Sequence, residues 1–172
     1  ALDDFLLSTD SGATWSPYRG PLPAAFTPGV WWARTPRGLA RSQDQGRSWT
    51  VQPLYPQWLV AAGDGVVADV GGPFEAFVMK LAPGGETVEW SRFLGKSVGL
   101  PLDQRVELNG AGEILVSAET GLYRVSPDGQ SSQRLVPEWN TRLLGVAEDG
   151  GAWVTIQGAL RRVDAYGDPL PA

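Results

Sequence analysis

The 172-residue chain contains neither cysteine nor histidine. Without thiols there is no disulfide and no cysteine nucleophile. Without imidazole as well, zinc sites of the usual ligand types and every triad that uses histidine as its base are excluded. Lysine is scarce, Lys80 and Lys96 being the two present, and the formal net charge is -5. A nucleic-acid backbone or an anionic membrane surface meets no large basic patch, so neither is expected as a partner. Apolar runs stay short of the ~20 residues of a membrane-spanning helix, and no membrane insertion is expected of this segment. The opening "ALDDFLL" lacks the charged and apolar regions of a signal peptide, which points to a mature soluble form or an excised segment. Helix is also under-provided: windows of ~11 residues with apolar spacing at i, i+3, i+4 and i+7 are broken by glycine or proline, and almost no helix is expected.

What the chain holds in quantity is glycine (22) and proline (14), with 42% hydrophobic and 19% charged residues. That is the composition of a folded, turn-rich protein, and the length suits one domain with a sizeable core. Few lysines beside many Ala, Gly, Pro and Arg residues are the compositional habit of a GC-rich bacterial genome.

Five short apolar runs each end in a polar turn with glycine: "FLLSTDSG", "GLARSQDQG", "FVMKLAPGG", "LYRVSPDG" and "LRRVDAYG". Their closing glycines, Gly12, Gly46, Gly85, Gly129 and Gly167, are 34, 39, 44 and 38 residues apart. Upstream of the last four runs stand compact apolar segments led by glycine, "GVWWA", "GVVADV", "GEILVSA" and "GAWVTI". "PAAF", "QWLVAA", "QRVELN" and "TRLLGVAE" precede those, and "TWSPY", "SWTVQ", "TVEWSRF" and "SSQRLV" follow the turns with the alternation of half-exposed strands. Four short strands per unit at such spacing predict an all-β, β-propeller-like repeat of about five four-stranded antiparallel units. The repeats fall near residues 1–20, 21–55, 56–97, 101–137 and 138–172 of one propeller or propeller-segment domain. Segments apolar on both faces, such as the one holding Trp31 and Trp32, ask for packing partners on both sides, as stacked sheets provide. The first unit lacks its two early strands and the last ends before a full fourth, so the units are incomplete at the termini. The preferred expectation is that the opening segment pairs with the C-terminal unit, giving a closed or nearly closed ring; the alternatives are a piece of a longer propeller and an open stack completed by another copy.

"STDSGATW" (Ser8–Trp15) and "SQDQGRSW" (Ser42–Trp49) share the pattern Ser-x-Asp-x-Gly-x-(Ser/Thr)-Trp. This pattern resembles the Asp-box, or BNR repeat, at Ser8, Asp10, Gly12, Thr14 and Trp15 and again at Ser42, Asp44, Gly46, Ser48 and Trp49. The later turns keep glycine and lose the rest, Asp128 alone standing near the Asp position. Asp is expected to accept backbone N–H bonds, Gly to supply positive φ, Ser or Thr to tie down adjacent backbone, and Trp to plug the hairpin onto its sheet. The resemblance implies a structural role at the periphery of a propeller, with an extracytoplasmic setting. Each loop offers one carboxylate, too few for calcium, so no metal or cofactor is expected.

Families with this box include sialidases, xyloglucan-degrading glycosidases, sortilin-type receptors and photosystem II assembly factors, so the fold does not choose a function. The (Phe/Tyr)-Arg-Ile-Pro motif that a sialidase carries before its first box is absent. For an inverting glycosidase, which needs two carboxylates ~6.5–9.5 Å apart, Asp69 and Glu75 are the nearest candidates, and neither has a partner motif. No catalytic residue is assigned. Tyr55, Trp58 and Trp139, on proline-bounded connections, and Arg34 and Arg37, in the local positive run with Arg41 and Arg47, are the binding candidates. The leading expectation is a non-catalytic binding or assembly module whose protein or glycan ligand meets the loops at one face. The alternatives are a glycoside hydrolase, or a fragment of one, and a structural subunit that self-associates through an open sheet edge.

Overall fold

A computed structural model describes residues 5–170 apart from 9, 71–74 and 97–104. Among the described residues there is no helix, and 17 strands form five antiparallel sheets. The first sheet pairs β1 (Phe5–Leu7) with β2 (Ser16–Tyr18). The second runs β3 (Pro23–Thr27), β4 (Val30–Thr35), β5 (Gly38–Ser42), β6 (Thr50–Gln52), and the third β7 (Trp58–Ala62), β8 (Gly65–Asp69), β9 (Glu75–Leu81), β10 (Val88–Lys96). The fourth holds β11 (Arg105–Leu108), β12 (Ile114–Ala118), β13 (Gly121–Val125), β14 (Ser132–Val136), and the fifth β15 (Thr141–Val146), β16 (Ala152–Ile156), β17 (Ala159–Val163). Within each sheet the strands lie in sequence order, as in a propeller-like repeat, and the first and last sheets are the incomplete ones.

One expectation is corrected. Among the described residues the opening segment does not complete the last sheet: β1 pairs with β2, and β17 pairs with β16 and makes one further isolated bridge, Val163 to Pro169. The return of the chain after Gly167 brings Pro169 to that edge, where Leu170 donates its N–H to the Arg162 carbonyl at 2.9 Å.

The chain divides into two compact units, residues 1–55 and 56–172. In the first, the buried side chains of the strands come from β3, β4 and β5, with Trp32 and Leu39 wholly enclosed. The Trp32 indole N–H reaches the Thr27 hydroxyl at 3.1 Å, so the burial leaves no polar atom of the ring unsatisfied.

In the second unit the third, fourth and fifth sheets are joined by two apolar layers. One collects Val67 and Val78 with Ile114, Val116 and Val125; the other collects Leu115, Leu122 and Leu135 with Leu143, Val154 and Val163. β12 supplies both, because successive side chains of a strand point to opposite faces. Ile114 and Val116 face one layer and Leu115 the other. Each such side chain, fully buried, contributes ~1.5–3 kcal/mol.

The closing turns also lock consecutive sheets together. A Cβ added at Gly129 would lie 2.3 Å from Cδ2 of Trp90 on β10, whose indole N–H donates to the Pro127 carbonyl at 3.2 Å. At Gly167 it would lie 2.3 Å from the carbonyl oxygen of Leu135 on β14. In the first unit, Tyr18 on β2 stands against Gly46 in the same way. Within each unit, the outer strand of one sheet thus rests on the glycine turn of the next.

Candidate functional site

The two octapeptide turns share five equivalent bonds. Asp10 Oδ1 accepts the Ser8 hydroxyl and the Thr14 N–H, both at 2.8 Å, and Oδ2 accepts the Thr14 hydroxyl at 2.5 Å. Ser8 Oγ accepts the Gly12 N–H at 2.7 Å, and the Trp15 indole N–H donates to the Gly12 carbonyl at 3.1 Å. In the second copy Asp44 takes the Ser42 hydroxyl at 2.7 Å, the Ser48 N–H at 2.8 Å and the Ser48 hydroxyl at 2.6 Å, with Gly46 and Trp49 bonded as their counterparts are. Two successive residues have positive φ in each, Ser11 (58°) and Gly12 (91°), then Gln45 (60°) and Gly46 (84°), which is the backbone of a tight hairpin turn.

These bonds fix the chemistry of the carboxylates. The Thr14 hydroxyl, then its N–H, then the Ser8 hydroxyl hold the Asp10 pKa down to about 2, and Ser48 and Ser42 do the same for Asp44, also to about 2. Asp128 is lowered as well, by the Ser126 hydroxyl first and the Gln130 N–H second. Groups held ionised this way cannot serve as general acids near neutral pH.

The tryptophans depart from the expected plug. Trp15 is 61% exposed, while Trp49 is half-buried, with Tyr18 beside it. The reason lies in what covers each turn: Tyr18 rests on Gly46, whereas a Cβ at Gly12 would meet Trp15 of its own turn at 3.9 Å. Burial raises the Tyr18 pKa, its hydroxyl donating to the Pro21 carbonyl at 2.7 Å.

Antiparallel order puts the first-to-second and third-to-fourth turns at one end of a sheet, and the second-to-third turn with the outgoing connection at the other. The binding candidates all belong to this other end of their own sheets. Arg34 and Arg37 flank the β4–β5 turn, both exposed, and Arg47 sits at the far end in the octapeptide, so the four-arginine run is not one patch. Tyr55, 62% exposed, follows β6. Trp58 is the first residue of β7 rather than part of a free connection, packs against the first apolar layer of the second unit, and lies under the Arg105 guanidinium at 5.5 Å. Asp69 is wholly buried at the end of β8; the side chain of Glu75 lies outside the described residues.

Trp139, 49% exposed, sits on the connection from β14 to β15, which is fastened along its length. Arg134 donates to the Pro137 carbonyl at 2.6 Å and to the Thr120 carbonyl on the β12–β13 turn. The Asn140 N–H donates to the Glu119 carbonyl at 3.2 Å, and the Thr141 hydroxyl to the Glu138 carbonyl at 2.7 Å. Asn140 takes a left-handed φ of 57°, which turns the chain into β15. Beside this connection a cleft of about 550 Å³ runs between Leu135 to Glu138 on one side and Ile156, Arg161 and Val163 on the other. Walls that mix apolar side chains with Arg161, Glu138 and Asp168 suit a ligand that has both an apolar face and hydrogen-bonding groups.

Sequence reasoning missed a second turn chemistry. Asp164 Oδ1 accepts the Tyr166 and Asp168 N–H groups at 2.8 and 2.9 Å, and Asn109 Oδ1 accepts those of Ala111 and Glu113 at 3.0 and 2.9 Å. The available signal was Asx three residues before glycine, at Asn109–Gly112 and Asp164–Gly167.

No family model matches the chain, and no curated protein matches it. Among solved structures it is similar to an extracellular domain attributed to a one component system of B. thetaiotaomicron, at 11% identity and a TM-score of 0.35, over 81% of this chain. The chain spans 27% of that one, about a quarter of its length.

Proposed function

We propose that the chain is a non-catalytic binding or assembly module, an Asp-box scaffold of extracytoplasmic setting whose protein or glycan ligand meets the loops at the sheet ends away from the octapeptide turns. The observation that carries this reading is Trp139: a half-exposed indole on a connection tied down by Arg134, Asn140 and Thr141, next in the chain to Glu138 of the 550 Å³ cleft. An aromatic side chain carried on a fastened connection and left wet suits a binding anchor, because little backbone ordering entropy is lost when a ligand covers it. The carboxylates of the octapeptide turns argue against hydrolysis by those groups, since their oxygens are engaged in their own loops. Of the other candidates, Tyr55, Arg34 and Arg37 are exposed, whereas Trp58 is engaged by Arg105 and the core.

A glycan array and an affinity screen against extracellular proteins test the reading. A ligand found this way should lose about 10–100-fold in affinity on Trp139→Ala, the range of a hot-spot aromatic. Binding that is indifferent to Trp139 and to Glu138 would place the ligand elsewhere and overturn the site. Release of reducing sugar from a bound glycan would overturn the non-catalytic reading.

A further inference from the structure

The two junctions between sheets of the second unit are built from equivalent positions, which strand register identifies. In the third sheet Lys80 stands opposite Val67, and in the fourth Arg124 stands opposite Leu115. Residues directly opposite share a face, and Val67 and Leu115 each face the sheet that follows in the chain. Toward the turn between the first two strands, Ala62 pairs with Gly65 in the third sheet, where Asn109 bonds to Glu113 in the fourth. In the closing turns Pro127 and Ala165 correspond, each two residues before its glycine, Gly129 or Gly167.

Between the fourth and fifth sheets the chain fills these positions itself. Arg124 Nη1 donates to the Ala165 carbonyl at 2.8 Å, and its Nε lies 3.7 Å from Glu113 Oε1. Glu113 Oε2 in turn accepts from Asn109 Nδ2 at 2.8 Å. Between the third and fourth sheets the same places hold Ala62, Gly65 and Lys80, and that polar group is missing. Lys80 turns to Glu89 on β10, its Nζ 2.9 Å from Oε2, and the Pro127 carbonyl is occupied by the Trp90 indole N–H. What is left is a cleft of about 260 Å³ walled by Ala62, Val67, Leu108, Ile114 and Pro127, with Lys80 the one ionisable residue of its lining.

We propose that this cleft binds a small organic carboxylate, its apolar body between the two sheets and its carboxylate on the Lys80 ammonium. Volume sets the size: an apolar cavity of ~150 Å³ takes benzene. The larger cleft here has room for a ring and a short acid chain. Lys80 sets the sign of the charge. An ammonium has three donors, and Glu89 engages one of them. The Lys80 side chain is 21% exposed and that of Glu89 35%, so an incoming carboxylate meets the cation partly out of water while Glu89 stays solvated. The cleft lies at the closing-turn end of its sheets, so it stands apart from the ligand reading, which concerns the β14–β15 connection at the other end.

Isothermal titration of the chain with 3-phenylpropionate, and with 3-phenylpropanamide as its neutral counterpart, tests the proposal. The acid should bind with a dissociation constant of about 0.1–1 mM, as suits a ligand of its size, and the amide at least ~5-fold more weakly. Lys80→Met should weaken the acid by ~10-fold and leave the amide little changed. Glu89→Gln, at an exposed position, should tighten the acid by ~2–5-fold, because it removes the competing carboxylate. Ala62→Leu should block both ligands by filling the cleft, and a thermal scan of each variant registers that it is folded. No binding of the acid at ~10 mM, equal binding of acid and amide, or binding indifferent to both Lys80→Met and Ala62→Leu overturns the proposal.

Discussion

Asp44 accepts three hydrogen bonds inside its own turn, from the Ser48 hydroxyl, the Ser48 N–H and the Ser42 hydroxyl, and Asp10 does the same in the first copy. Every partner lies within four residues, so the arrangement can be read from spacing alone; the different burial of Trp15 and Trp49 cannot, because it depends on Tyr18 arriving from another strand. The bonds to the ionised form hold each pKa at about 2, below the ordinary 3.8. A depressed carboxylate pKa favours the folded state above the unfolded value, and that contribution is lost as pH falls through the folded value. The thermal midpoint should therefore decline as pH is lowered from about 4 to about 2. The Asp10→Asn, Asp44→Asn double variant should be less stable at pH 7 and show a shallower decline across the same window, read by circular dichroism at a series of pH values. A double variant with the wild-type slope would mean that other groups govern acid unfolding.

At the scale of elements, the strands were legible because each apolar run is punctuated by a glycine turn at nearly constant spacing. What remained hidden is why the later turns drop the octapeptide pattern. The first two closing turns place glycine third, after a non-glycine residue of positive φ, with the bond Ala13 N–H to Asp10 O, or Arg47 N–H to Asp44 O. The later three place it fourth, with Gly85 bonded to Ala82, Gly129 to Ser126 and Gly167 to Asp164. The hydrogen-bond partners that suit one geometry miss their targets in the other, so the sequence pattern changes with the turn. Glycine persists in all five, and at Gly129 and Gly167 an outer strand of the preceding sheet rests on it. Gly129→Ala should accordingly cost about 2 kcal/mol or more, since its Cβ would enter the Trp90 indole at a φ of 69°. Gly84→Ala, where nothing lies within 4 Å, provides the control and should change stability little. Urea titration of both variants checks the contrast; equal losses would show that Trp90 simply moves aside.

At the scale of the whole chain, the sequence favours one domain, whereas the backbone contacts divide it after Tyr55. The two expectations differ in an experiment. Both apolar layers that join the third, fourth and fifth sheets draw all their residues from Trp58 to Val163, and so do the Trp90–Pro127 and Arg124–Ala165 bonds between sheets. None of these needs residues 1–55. Residues 56–172 also form a chain well above the ~60 residues at which burial becomes marginal for a domain. Expressed alone, this segment should give a β-sheet far-UV spectrum and one cooperative urea transition, with a smaller m-value than the intact chain because less surface is exposed on unfolding. Residues 1–55, with a two-stranded sheet and one four-stranded sheet, should be much less stable alone. The intact chain should then unfold in two steps, the lower one reporting on Trp32 and Trp49. A 56–172 segment without cooperative structure would show instead that the chain folds as a single domain, with the first two sheets indispensable to the other three.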